Sequence, residues 1–226
     1  MRQIVLAVKG SVAREGLKAL FEQEGWQVNV KAKNRHQLLH ELKSHIEPLV
    51  IISDSFCDHA TKAVLRTINQ QTPRARIILW CWSTQNAIYH YLSDEKIHGY
   101  MYQQCDDQEW LSACALVRHG STHRSPYLAQ TFRYLGKLSE QGSPFANLSK
   151  REKLVFQLIC GGNTVAEIAE RLFISRKTVN TFRYRLFKKT NVVNDVQLAH
   201  LAISSGVVPL TPRRFEKGKV AVVGEG

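Results

Sequence analysis

Between residues 1 and 120, short apolar runs alternate with amphipathic stretches. Ile4–Val8 is apolar throughout, as in a strand covered on both faces. Ser11 is placed to cap a helix reaching about Glu24, with Val12, Leu17, Leu20 and Phe21 apolar and Gly25 ending it. Trp26–Val30 reads as a second strand, 36–44 as a helix and Leu49–Ser53 as a third buried strand. A helix follows over 59–71 with Val64, Leu65 and Ile68 inward, and Pro73 separates it from a fourth strand at Ile77–Trp80. A helix near 84–93, a strand at Gly99–Tyr102 and a helix near 106–119 complete five strand–helix units. This alternation predicts an α/β domain over 1–120. It would hold a five-stranded parallel, doubly wound sheet whose functional groups collect at the C-terminal strand ends.

The pattern then changes. Residues 121–147 mix Gly, Ser and Pro around one amphipathic piece, Tyr127–Leu138, with Leu128, Phe132 and Leu135 on one face. They read as a linker with a short helix. From 148 to 208 only helical spacing remains. Ser149 and Glu152 form an S-x-x-E capping box ahead of Leu154, Val155, Leu158 and Ile159. Gly161-Gly162 ends that helix. A second, Thr164–Leu172, carries Val165, Ile168, Ala169 and Leu172 inward. A turn at 173–175 leads to a third helix that Ser175 can cap, with Val179, Phe182 and Leu186 on its apolar side. A fourth helix, Asp195–Ser204, ends at Gly206. Helix, tight turn and helix, flanked by two more helices, predict an all-α helix-turn-helix domain. Residues 209–226 are expected to be a flexible tail.

Charge adds a partner. The chain of 226 residues carries a formal net charge of +12. Residues 1–125 hold 15 Lys+Arg against 12 Asp+Glu, whereas 126–226 hold 16 against 7. The excess lies with the helix-turn-helix, and the stretch 175–190 has six basic residues and no acidic ones. A polyanion is the expected partner of that half. No apolar run approaches the roughly 20 residues of a membrane span, and MRQIVLAVKG is too short in its apolar part for a signal peptide. A cytoplasmic protein with no membrane association is expected. The five cysteines have no C-x-x-C pair, so neither a zinc site nor a disulfide framework is expected. Cys57-Asp58-His59 lacks an oxyanion motif, and neighbours in sequence rarely converge on one substrate. Trp80, Trp82, Tyr89 and Tyr91 read as packing residues. The sequence therefore predicts no enzyme and no cofactor.

Over 148–208 the landmarks Leu148-Ser149-x-Arg151-Glu152, Glu167-Ile168-Ala169, Leu172, Ile174-Ser175, Lys177-Thr178-Val179 and Lys189 resemble the LuxR-type DNA-binding domain. Ala13-Arg14-Glu15-Gly16-Leu17, Pro48–Asp54 and Gly99–Tyr102 resemble a receiver domain of the NarL/LuxR response regulators. Thr178-Val179-Asn180-x-x-Arg183-Tyr184-Arg185 and Asp195-Val196-x-Leu198 look most like the GacA/UvrY-like subgroup. The resemblance implies double-stranded DNA as partner and a homodimer on an inverted repeat. It places Asn180, Thr181 and Tyr184 at the base-reading positions. Lys177, Thr178, Arg183, Arg185 and Lys188 are then phosphate contacts, which set register and affinity.

The same resemblance places Asp54 at the phospho-acceptor position, but its surroundings depart from the family. The two acids of the first strand fall on Val8 and Lys9, the hydroxyl of the fourth on Cys81 and the lysine of the fifth on Gln103. Lys9 is expected to set a permanent cation beside Asp54. A degenerate receiver follows, with Asp54 vestigial and Mg²⁺-dependent phosphorylation lost. It would serve dimerisation and positioning, or answer an unknown ligand or protein. The alternatives are a conventional regulator phosphorylated at Asp54 by a sensor kinase, and a protein-interaction regulator of another transcription factor.

Overall fold

The computed structural model describes residues 2–30, 32–57, 61–93, 95–103 and 105–207. The expected tail at 209–226, with Asp58 and His59, lies outside the described residues. The strands are β1 (Gln3–Ala7), β2 (Gln27–Asn29), β3 (Leu49–Ser53), β4 (Arg76–Cys81), β5 (Gly99–Tyr102) and β6 (His123–Arg124). The helices of this half are α1 (Ser11–Gln23), α2 (Arg35–Lys43), α3 (Thr61–Gln71), α4 (Thr84–Tyr91), α5 (Asp107–Arg118) and α6 (Pro126–Lys137). The C-terminal helices are α7 (Lys150–Cys160), α8 (Val165–Leu172), α9 (Arg176–Thr190) and α10 (Asp195–Ser204).

All strand pairs are parallel, in the order β2-β1-β3-β4-β5-β6. Among the described residues the sheet has six strands, not the five expected. The sixth is only two residues long, too short to leave an alternating pattern. It is held by His123 N–H donating to His98 O at 3.0 Å and Ser125 N–H to Tyr100 O at 2.9 Å. A second correction concerns α1. Ser11 is its first residue, and Gly10 at φ 96° takes the cap position without a side-chain bond.

Successive strand residues point to opposite faces. Ile4, Leu6 and Val8 meet Leu17 and Phe21 of α1 and Trp110 and Val117 of α5 on one side. Val5 and Ala7 face Leu38 and Leu42 of α2 and Val64, Leu65 and Ile68 of α3 on the other. Gly99 is required where α5 crosses β5, because a Cβ there would come within 2.9 Å of Ile78 Cγ1 and 3.3 Å of Val117 Cγ2.

The stretch read as a linker is part of this core. Leu128, Phe132 and Leu135 of α6 are buried with the α3 and α4 side chains. Phe132 stacks on Tyr91 at 3.9 Å and meets Tyr100 edge-on at 5.0 Å. Tyr127 stacks on Tyr102 at 4.6 Å. Together β6 and α6 cover the β5 edge of the sheet, where unpaired backbone groups would otherwise face outward.

The C-terminal helices start on side-chain caps. Ser149 and Glu152 form the capping box of α7, Thr164 and Glu167 that of α8, and Ser175 Oγ accepts from Thr178 N–H at the start of α9. Glu152 is buried and also receives Lys189 Nζ at 2.7 Å. Lys189 donates to Asn147 O as well, at 3.1 Å, so it pins α9 onto α7 and the preceding loop. The apolar cluster on the α3 side of the sheet continues without a break into Leu154, Leu158 and Leu172.

Two buried histidines make this fold acid-sensitive. His98 Nδ1 accepts the Ile77 N–H at 3.0 Å, which requires that nitrogen to be unprotonated. Burial, with the Arg76 and Lys96 charges, lowers its pKa to about 4. Burial and then Lys62 lower that of His90 to about 4 as well. In the unfolded chain a histidine titrates near 6.5. Between about pH 6.5 and pH 4 the unfolded state therefore binds protons that the folded state refuses, and stability falls as pH falls. Urea unfolding at pH 7 and at pH 4.5 should show the decline, and His98→Gln should flatten it. A slope identical in that variant would refute a role for His98.

Candidate nucleic-acid interface

The α9 helix divides by exposure as its sequence requires. Val179 and Leu186 are fully buried and Phe182 half-buried, while Lys177, Asn180, Thr181, Tyr184, Arg185 and Lys188 are exposed. Tyr184 is 69% exposed, large for an aromatic ring on a packed helix. Asn180, Thr181 and Tyr184 lie at i, i+1 and i+4 and share one stretch of the outer face. Thr181 Oγ1 donates to Lys177 O at 3.0 Å, and Thr178 is half-buried beside the Ser175 cap.

Arg183 is placed differently from its basic neighbours. Its Nη2 and Nε donate to the two Asp195 carboxylate oxygens at 2.6 and 3.1 Å, and Nη1 donates to Asn180 Oδ1 at 3.0 Å. A bidentate pair of this kind is directional and rigid. It ties α9 to the first residue of α10 and orients the Asn180 amide. A phosphate contact by Arg183 would have to share that guanidinium. The role of Asp195 escaped sequence reasoning, because the turn between α9 and α10 decides whether the two residues meet.

The other candidate residues gather at the C-terminal end of the sheet. Asp54 follows β3 and is 6% exposed. Its Oδ2 accepts the Trp82 N–H at 3.0 Å and Asn86 Nδ2 at 2.9 Å, and the Ser83 N–H also bonds to the carboxylate. Burial raises its pKa, and these donors oppose the rise. Val8 is buried hydrocarbon and Lys9 an exposed ammonium-bearing residue whose backbone N–H donates to Ser53 Oγ at 3.2 Å. Cys81 is fully buried, and burial followed by the Asp54 charge pushes its thiol well above the ordinary range. Gln103 takes a left-handed backbone at φ 47° and its amide donates to Trp82 O at 3.3 Å.

A Mg²⁺ ion needs a set of hard oxygen ligands. Among the described residues no group of three or more His, Cys, Asp or Glu is placed to hold a metal ion. The packing expected of the aromatic residues is seen for Trp80, which meets Trp110 edge-on at 5.2 Å and Trp82 at 4.9 Å, and for Tyr89 and Tyr91 against the core, while Trp82 stays 45% exposed on its other side.

The α4 helix packs against both α6 and α7. A cavity of about 110 Å³ lies at this junction, lined by Asp54, Lys62, Asn86 and His90 on one side and Leu154, Leu158 and Arg171 on the other. Arg171, near the end of α8, donates to Gln85 Oε1 of α4. No helix among the described residues is long and apolar enough to cross a membrane.

Residues 146–202 match the family of bacterial regulatory proteins, luxR family. The response regulator UvrY of Escherichia coli strain K12 is 30% identical over 210 residues, spanning 92% of this chain and 96% of that protein. The response regulator GacA of Pseudomonas aeruginosa is 29% identical over 215 residues, spanning 92% and 98%. Among solved structures, the response regulator RcsB in its complex with DNA superposes with a TM-score of 0.55. The identity is 22% over 90% of this chain and 98% of that one, a likeness of fold. With a relative of 30% identity aligned over nearly its whole length, and the luxR-family match over residues 146–202, the chain belongs to the DNA-binding response regulators of the LuxR type.

Proposed function

We propose that this transcription regulator reads DNA through Asn180, Thr181 and Tyr184. In this reading, Lys177, Thr178, Arg185 and Lys188 hold the phosphates and Arg183 contributes beside them while orienting Asn180. The observation that carries the reading is the outer face of α9, which stays exposed while α7 packs against α4 and the other C-terminal helices pack around α7. A neutral amide can pair with an adenine edge, and hydroxyls and a ring add contacts in the major groove. One such module covers few base pairs, so two copies on an inverted repeat, with half-sites about one helical turn apart, are the expected arrangement. RcsB has been solved as two dimers bound to two parallel DNAs, which supports dimers for this chain.

The receiver-like domain, in the same proposal, works without Mg²⁺-dependent phosphorylation of Asp54. Val8 and Lys9 in place of acids, Cys81 in place of a hydroxyl and Gln103 in place of a lysine support it. Its conventional rival is phosphorylation at Asp54 by a sensor kinase, favoured by the response-regulator relatives. Incubation with Mg²⁺ and a small phosphodonor, followed by intact mass and a salt titration of DNA binding, separates the two. The expected result is an unchanged mass and an unchanged, salt-dependent affinity. A stoichiometric mass gain that disappears in Asp54→Ala overturns the proposal.

A further inference from the structure

Asp54 is joined to the DNA-binding helices by a short chain of hydrogen bonds. Its Oδ2 takes both the Trp82 N–H and the Asn86 amide. Ser83 Oγ accepts the Asn86 backbone N–H at 3.1 Å, so the first turn of α4 is gripped from two sides. The neighbouring residue, Gln85, extends the other way. Its Oε1 receives Arg171 of α8, and its Nε2 would lie 3.4 Å from a Cβ built on Gly161 at the end of α7. Gln85 is therefore seated between the ends of the first two helices of the DNA-binding domain. Arg151 Nη2 donates to Leu172 O at 3.1 Å and holds the end of α8 against α7, so the two helices receive Gln85 as one surface.

We propose that Asp54 is a positioning residue, whose Oδ2 holds the first turn of α4 so that Gln85 can seat the α7–α8 pair. This role needs no phosphoryl group and is independent of whether Asp54 is ever phosphorylated. Without the acceptor, the Trp82 N–H and the Asn86 amide lose their partner at a part-buried site, and the first turn of α4 loses what fixes it. The turn loosens, and Gln85 leaves its place between Gly161 and Arg171. The docked state leaves the outer face of α9 exposed, so Asp54 governs where the reading head sits relative to the receiver-like domain, not whether it is covered.

The geometry distinguishes this role from phosphate chemistry, because the Trp82 and Asn86 bonds fall on one oxygen, with the Ser83 N–H as a further donor to the carboxylate. Asparagine at position 54 presents an amide oxygen that can accept both, whereas alanine presents none. As phospho-acceptors the two variants are equally dead. Hydrogen–deuterium exchange on the full chain, with neither Mg²⁺ nor phosphodonor present, reads the difference. In Asp54→Ala, peptides spanning 83–91 and 165–175 should exchange about ten-fold faster, the factor expected for losing one or two part-buried hydrogen bonds to a charged acceptor. Asp54→Asn should stay near the parent chain, and residues 49–53 should stay protected in both. Equal acceleration in the Asn and Ala variants, or an unchanged 165–175 segment in Asp54→Ala, overturns the proposal. Should Asp54→Ala expose 49–53 as well, Asn86→Ala decides: it must accelerate 165–175 while 49–53 stays protected, and no acceleration there overturns the proposal.

Discussion

Replacing Phe132 with alanine should destabilise the N-terminal domain by about 3–5 kcal/mol, the usual cost of deleting a buried aromatic ring. The ring is 2% exposed. It lies flat on Tyr91 of α4 and edge-on to Tyr100 of β5, so its removal opens a cavity where three elements meet. Such pairs add about 0.5–1.5 kcal/mol beyond buried area. Phe132→Leu fills most of the volume and should lose only about 1–2 kcal/mol, mainly the ring contacts. Urea unfolding followed by circular dichroism would measure both. A Phe132→Ala cost below about 1 kcal/mol, within the range of surface substitutions, would mean that α6 is loosely attached after all. The same packing implies that a chain ended at 120 would fold less stably than one ended after α6, because it loses β6 and the aromatic cover of the sheet edge.

Tyr184→Ala should weaken binding to the specific DNA site by about 1–3 kcal/mol, roughly 5- to 150-fold. The ring stands on the exposed side of α9, with Val179 and Leu186 buried on the other, so the substitution opens no cavity. Stability should change by no more than about 0.5 kcal/mol. Binding to scrambled DNA should be nearly unchanged, because the cations that hold phosphate remain. Fluorescence anisotropy on both DNAs at one salt concentration makes the comparison. An equal loss on the two would make Tyr184 a general contact, and no loss on either would remove it from the reading face.

The regular elements were largely legible in the residues. Leu49–Ser53 and Gly99–Tyr102 are strands with the bounds that their apolar runs indicate. The capping box of Ser149 and Glu152 marks the start of α7, and Ser175 caps α9 as its position before the basic helix suggests. These signals are local: a period of two or 3.6, or a side chain three residues from the backbone group that it satisfies. The buried and exposed sides of α9 were legible for the same reason, since Val179, Phe182 and Leu186 define one side of the helix and Tyr184 must fall on another.

What the residues alone determined about this protein is its two architectures and the chemical character of its reading helix. The tertiary structure decided how they are joined. Whether Tyr127–Leu138 is a tether or a wall depends on Tyr91 and Tyr100, about 30 to 40 residues upstream. Whether Arg183 meets phosphate or Asp195 depends on the turn that brings α10 back. Asp54 was identifiable as an acid at a strand end, but the donors to its carboxylate, Trp82 and Asn86, come from another strand–helix unit, and Gln85 meets Arg171 across 86 residues. Side chains that far apart leave no shared period in the chain. Only close packing of the sheet against its helices brings them within hydrogen-bonding reach.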